Sequence, residues 1–305
     1  MPDTVIAVHD FRKMYGAFVA VDGISFEVSR GEVFGLLGPN GAGKTSTMES
    51  LEGLRSADGG TIRVAGIDPG RQPGQLRNLI GVQLQSSGLP ESIRVDEAMR
   101  LFCAYHGIEP RYDLLDRLGL AEKSTSQYHQ LSAGQQRRLA LVLAVAHHPQ
   151  VLFLDEPTAG LDVASRAQLH DLMRELRAEG TTILLATHDM AEASDMATRV
   201  GILLRGRIAA VGTPLEITAT GARLTKISVR TEGSCLSNPA ARFPSVEKSA
   251  RQDEYFIYFS ADVGRTVSAL IAFVNAQTDP LIDLRVERPS LEDRFLEITS
   301  EGSNP

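Results

Sequence analysis

The chain has 305 residues, 43% of them hydrophobic and 23% charged, which suits about two folded domains and excludes disorder over its whole length. Its 31 basic and 38 acidic residues give a net charge of −7, which argues against a broad basic surface for nucleic acid but not against a local positive site. Two cysteines, Cys103 and Cys235, cannot build a disulfide scaffold in a chain this long; one bridge between them is allowed, but a reduced cytosolic protein is expected.

Met1–Phe11 lacks a basic stretch followed by an apolar run, so no signal peptide is expected. Val5–Phe11, Ile24–Val28 and Glu32–Leu37 read as short strands, Thr45–Leu54 as a helix and Thr61–Val64 as a strand. Ile80–Leu84 is a buried strand candidate. Val95–His106 places Val95, Ala98, Met99, Leu101, Phe102 and Tyr105 at helical spacing. Ala133–His147 reads as a long helix. Within it lies the longest unbroken apolar run, Leu139–Ala146, which falls short of the roughly 18–20 residues of a membrane helix. Val151–Leu154 is a continuous apolar strand, as in a sheet buried on both faces. Helix Val163–Ala178, strand Thr181–Ala186 and helix Asp189–Thr198 follow, and the alternation predicts an α/β domain around a mostly parallel sheet. Thr213-Pro214-Leu215-Glu216 has the residues of a helix start. Beyond it, strands Lys226–Thr231, Tyr255–Phe259 and Leu281–Glu287 surround a helix at Arg265–Asn275, and Ser290 opens a last short helix. A boundary is therefore expected near residue 225, with a small α+β domain over 226–300 and a disordered tail at 301–305.

Gly38-Pro39-Asn40-Gly41-Ala42-Gly43-Lys44-Thr45 fits G-x-x-x-x-G-K-[ST] between a strand and a helix. Its glycines let backbone N–H groups turn toward an anion, and the helix N-terminus adds partial positive charge. Lys44 suits the β- and γ-phosphates, the Thr45 hydroxyl suits Mg²⁺, and Ser46 is counted with the same phosphate site. The net charge is no objection, because distant exposed charges are screened while these donors act at close range. Val151–Leu154 ends in two carboxylates, Asp155 and Glu156, at the sheet end where ligands bind in open α/β folds. Adjacent strand residues point to opposite faces, so the two acids can differ in role. Asp155 is assigned to Mg²⁺ and Glu156 to accepting a proton from an attacking water.

With Leu131-Ser132-Ala133-Gly134-Gln135 added, the chain resembles the ATP-binding subunit of ABC transporters, whose signature is LSGGQ. The resemblance covers about residues 4–220 and implies a P-loop ABC ATPase: a mixed-sheet core with a helical subdomain at about 86–147. It implies ATP and Mg²⁺ as ligands. By the same resemblance Tyr15 stacks on adenine, Gln85 senses Mg²⁺ and the membrane partner, Asp162 lies in the loop that crosses between subunits, and His188 contacts the γ-phosphate. Tyr15, Gln85 and His188 each have a blander reading: an ordinary tyrosine, a strand-end amide rivalled by Gln83, and a helix-capping histidine. Ser132, Gly134 and Gln135 stand at a helix start and form a second anion site. The family places that site over the ATP of another subunit, in a head-to-tail dimer. Ala133 departs from the signature. If positive φ is needed there alanine costs energy, and if only room is needed its methyl is tolerated.

The ending Pro289-Ser290-Leu291-Glu292-Asp293-Arg294-Phe295-Leu296-Glu297-Ile298-Thr299 is similar to that of bacterial type-2 ABC exporters, the daunorubicin-resistance type included, and Gly81–Gln85 has the same character. The resemblance therefore implies an exporter of drugs, antibiotics or lipid-like compounds. Its permease is on a separate chain gripped around Ser86–Tyr105, and the ATPase lies at the cytoplasmic face of the membrane. An importer ATPase and a soluble ABC ATPase remain as alternatives. No nucleic-acid partner is expected, and neither His147–His148 nor Cys103–His106 has the spacing of a zinc site.

Overall fold

A computed structural model describes residues 3–83, 88–219, 224–238, 241–287 and 290–301. The chain divides into two compact units, Met1–Pro214 and Leu215–Pro305, a division some ten residues ahead of the position read from the sequence. Most of the expected tail, residues 302–305, lies outside the described residues.

The first unit opens with β1 (Thr4–Tyr15), β2 (Phe18–Ser29), β3 (Val33–Leu37), α1 (Lys44–Leu51), β4 (Gly59–Val64), α2 (Pro73–Leu76) and β5 (Ile80–Gln83). Three helices follow, α3 (Val95–Tyr105), α4 (Tyr112–Arg117) and α5 (Ala133–Val145). The chain then alternates through β6 (Val151–Asp155), α6 (Val163–Ala178), β7 (Thr182–Thr187), α7 (Met190–Met196), β8 (Arg199–Leu204) and β9 (Arg207–Gly212), and α8 (Pro214–Ala219) leads into the second unit. Six strands form the central sheet in the order β5-β6-β7-β3-β8-β9. All its neighbours pair in parallel except β8 with β9. Every residue of β3, β6 and β7 is buried, which explains the apolar runs Val33–Leu37, Val151–Leu154 and Ile183–Ala186 within them. An antiparallel sheet, β2-β1-β4, packs into the same core, where Phe26 stacks on Phe34 at 5.2 Å.

The parallel strands bring their carboxyl ends to one edge. The loop after β3, Asp155–Glu156 at the end of β6 and His188 just after β7 therefore lie on that edge. Helix α3 buries Val95, Ala98, Met99 and Cys103, but leaves Leu101 57% and Tyr105 64% exposed. Two strands escaped the sequence reading in this unit, β8 and β9, joined by a tight Arg205-Gly206 turn with both residues at positive φ. Among the described residues no helix is long and apolar enough to cross a membrane.

The second unit holds β10 (Thr225–Thr231), β11 (Val246–Gln252), β12 (Tyr255–Ser260), α9 (Val263–Ala276), β13 (Leu281–Glu287) and α10 (Leu291–Glu301). Its sheet is antiparallel in the order β11-β12-β10-β13. Ile227, Val229 and Tyr258 share a core with Leu270 and Val274 of α9. Asp262 caps α9 by accepting from the Arg265 N–H. Both Cys103 and Cys235 are free thiols.

Candidate functional site

The loop between β3 and α1 is built by backbone constraints that few residues besides glycine meet. Gly43 has φ +106°, and a Cβ there would lie 2.6 Å from the Ala20 carbonyl oxygen. Gly38 is equally confined, since a Cβ would stand 2.3 Å from the Leu203 oxygen. The loop borders a cavity of about 200 Å³. Pro39, Asn40, Gly41, Gly43, Lys44, Thr45 and Ser46 line it together with Tyr15, Phe18, Asp155 and Glu156. Ala42 is buried against the core, and its carbonyl accepts from the Gly206 N–H.

Lys44 is 6% exposed and donates to the carbonyls of Gly38 at 2.7 Å and Pro39 at 3.3 Å. Burial holds its ammonium below the usual lysine range, against the opposing pull of Glu156 and Asp155. Asp155 and Glu156 are each 7% exposed. Burial, then the neighbouring Glu156 charge, pushes the Asp155 carboxyl above its ordinary range. A cation would relieve both penalties, so this all-oxygen pair suits Mg²⁺ completed by the Thr45 hydroxyl and phosphate oxygens. Among the described residues no group of three or more His, Cys, Asp or Glu side chains could hold a metal alone.

Glu156 is held from several directions. Its φ is +49°, a strained value for a non-glycine residue of the kind that clusters at functional sites. Its N–H donates to the Ala186 carbonyl at 2.9 Å. His188 Nδ1 lies 2.8 Å from Glu156 Oε2, and the Thr187 hydroxyl donates to the same oxygen at 3.4 Å. Glu156 Oε1 is 3.9 Å from Lys44 Nζ. Asp189, not His188, caps α7, accepting from the Glu192 N–H at 3.0 Å.

Tyr15 and Phe18 face each other across the β1–β2 hairpin, whose Gly16 takes φ +60°. The Tyr15 hydroxyl is 3.3 Å from Ser46 Oγ, and the Arg55 and Lys13 cations lie 5.4 and 5.5 Å from its ring centre. Phe18, 63% exposed, was not singled out from the sequence, although its place opposite Tyr15 in a two-residue hairpin was a usable signal. Arg137 was missed too. From α5 it donates to the carbonyl of Glu156 at 2.9 Å and to that of Ala159. The adjacent pair Arg137-Arg138, just before the apolar run that begins at Leu139, was its only mark.

The remaining expected residues do not line this cavity. Ser132 caps α5 in a reciprocal box: its hydroxyl accepts from the Gln135 N–H at 3.3 Å, and Gln135 Oε1 accepts from the Ser132 N–H at 2.9 Å. Ser132 and Ala133 are exposed at the helix start, with Gly134 next to them. Ala133 is the first helical residue and is absent from the positive-φ positions, so its methyl carries no backbone strain. Asp162 caps α6, accepting from Ser165 N and Ser165 Oγ at 2.8 Å each. The Ser165 N–H bond, foremost, keeps its carboxyl below the usual range. Gln85 lies outside the described residues. Its rival Gln83 is 3% exposed at the end of β5, with no hydrogen-bond partner for Oε1.

The family model for ABC transporters matches residues 21–159. A daunorubicin resistance ATP-binding protein of Streptomyces coeruleorubidus is 36% identical, over 99% of this chain and 98% of that protein. A Nod factor export ATP-binding protein of Paraburkholderia xenovorans is also 36% identical, over 98% of each chain. A solved structure of an ATP-binding subunit of an ABC transporter superposes with a TM-score of 0.68 at 29% identity, covering 72% of this chain and 95% of that one.

Proposed function

The chain belongs to the ABC transporter ATP-binding family, and from that premise we propose that it is the ATP-driven motor of an exporter whose membrane-spanning subunit is a separate polypeptide. The observation that carries this reading is the convergence of a phosphate loop, a buried lysine and two buried carboxylates at one end of the parallel sheet.

In the proposed mechanism the backbone N–H groups of the loop and Lys44 hold the phosphates, Lys44 exchanging carbonyls of its own loop for phosphate oxygens. Tyr15, with Phe18 beside it, receives the base. Thr45, Asp155 and Gln85 would hold Mg²⁺, which supplies charge neutralisation on the phosphates when bound. Glu156 takes a proton from the attacking water. His188 and Thr187 fix its Oε2, and Arg137 pins the backbone beneath it. Ser132, Gly134 and Gln135 are placed away from this chain's own phosphate cavity, which fits their use on the ATP of a second copy. Asp162, capping α6, shapes the loop that approaches that copy. ATP then joins two subunits and its hydrolysis parts them.

A second, apolar groove of about 610 Å³ lies beside α3 and α5, lined by Leu54, Val82, Leu89, Leu101, Phe102 and Tyr105. It suits a helix of the membrane partner, which would put the motor on the cytoplasmic face. Its relatives' names, a daunorubicin resistance protein and a Nod factor export protein, favour export. The motor is assigned to about residues 1–225, with its helical subdomain near 86–147, and the small α+β domain to 226–300. The test is uptake by inside-out vesicles that carry the chain and its permease. ATP-dependent accumulation of daunorubicin or another amphiphilic drug is expected. Vesicles that couple ATP turnover to no accumulation of such compounds would overturn the export reading.

A further inference from the structure

The apolar groove has an acidic defect in its wall. Glu52, which closes α1 at its C-terminal end, lines the groove and is only 5% exposed. Its Oε2 is buried without a hydrogen-bond partner, and among the described residues no basic side chain forms an ion pair with Glu52. Burial, then the nearby acids Asp155 and Glu49, pushes its carboxyl up to about 8. Leaving a buried carboxyl unpaired is costly, and supplying a cation offsets that cost.

The other polar groups of the groove do not fill this role. His106 and His147 stack on each other at 3.9 Å, and His147 Nε2 is 3.0 Å from the Ile80 carbonyl. Arg77 also lines the groove, but it is exposed and makes no ion pair with Glu52. The groove thus presents largely apolar walls, one buried acid, a stacked histidine pair and the exposed Arg77.

We propose that Glu52 is the specificity anchor of this groove and that it receives a lysine or arginine side chain from a helix of the membrane-spanning partner. This rests on the reading above that the groove receives that partner. A charge pair desolvated on docking gives modest net affinity, because both groups lose water, but it penalises any helix that enters out of register. The position has a mechanical consequence as well. Helix α1 carries Lys44 at its first residue and Glu52 immediately after its last, a span of about 12 Å. A partner that grips Glu52 therefore holds the far end of the helix whose near end cradles phosphate.

The experiment uses the full chain and its own permease in detergent, with the dissociation constant of the complex as readout. Thermal unfolding of each variant confirms that it is folded. Glu52→Gln is expected to weaken the complex about tenfold and Glu52→Lys about a hundredfold or more. Each basic residue of the permease's cytoplasmic helices is then changed to Glu, and one of these changes should restore binding to the Glu52→Lys chain. Wild-type affinity in Glu52→Gln, or no restoring change, overturns the proposal. Leu101→Asp separates this from the underlying reading. If it abolishes binding while Glu52→Gln binds normally, only the anchor falls. If it binds like wild type, the groove itself is not the docking site.

Discussion

Replacing Gly43 by alanine should be far more harmful than replacing Gly41, although both sit in the same loop. Both residues have positive φ, +79° at Gly41 and +106° at Gly43, and an L-residue in the left-handed region costs about 1–2 kcal/mol. The value at Gly43 lies beyond the small left-handed basin that other residues reach, so its cost is at the upper end or higher. Space separates the two further. A Cβ at Gly41 would meet nothing within 4 Å, whereas one at Gly43 would stand 2.6 Å from the Ala20 oxygen and 3.2 Å from a Val21 methyl. Forcing that contact adds about 1–3 kcal/mol. The expected loss is therefore about 1–2 kcal/mol for Gly41→Ala and about 2–5 kcal/mol for Gly43→Ala. Urea unfolding with and without ATP measures both. At a hundred times its dissociation constant ATP should stabilise the wild type by about 2.7 kcal/mol, and Gly43→Ala should lose that increment. Equal midpoints for the two variants, or a full ATP increment in Gly43→Ala, would refute the steric reasoning.

Two further changes test particular features. Ala133→Gly should leave ATP turnover within about twofold and cost at most about 1 kcal/mol of stability, because position 133 is an exposed first helical residue without positive φ; a tenfold gain in turnover would show that the signature needs glycine there. Burial, foremost, drives His147 down to about 4, so its neutral form stabilises the fold above about pH 6.5 and that stability is lost as pH falls through 4. The ceiling is about 3 kcal/mol, lowered by screening of a ring that keeps some solvent contact. Urea midpoints at pH 7, 5.5 and 4 should therefore fall less for His147→Gln than for the wild type, and parallel declines would contradict the assignment.

Contiguous chemistry was legible in the sequence, and chemistry assembled from distant segments was not. The phosphate loop and the acidic strand end are single runs whose flanking strands announce themselves by unbroken apolar stretches. Ser132 and Gln135 were readable as a helix start, and the structure finds them capping each other. Strand β8 was lost because the helix read over Asp189–Thr198 ran up to its first residue, where the structure ends α7 at Met196. Strand β11 is a sheet edge with six of its seven residues exposed, so Val246–Gln252 has no alternation to read. Phe18 and Arg137 gain meaning only from their neighbours in space. Helical spacing grouped Leu101 and Tyr105 with the buried face of α3, yet both stand out of it and leave a groove wall. The buried acid in that wall has no sequence signature, since Glu52 reads as one more polar residue at a helix end.

The most direct test of the central claim is ATP turnover by Glu156→Gln measured beside the wild type, with nucleotide binding and oligomeric state followed in the same samples. Loss of a general base costs about 10²–10⁴ in rate. The account predicts a fall of that size, with ATP still bound and an ATP-dependent dimer accumulating. Turnover close to that of the wild type would contradict it.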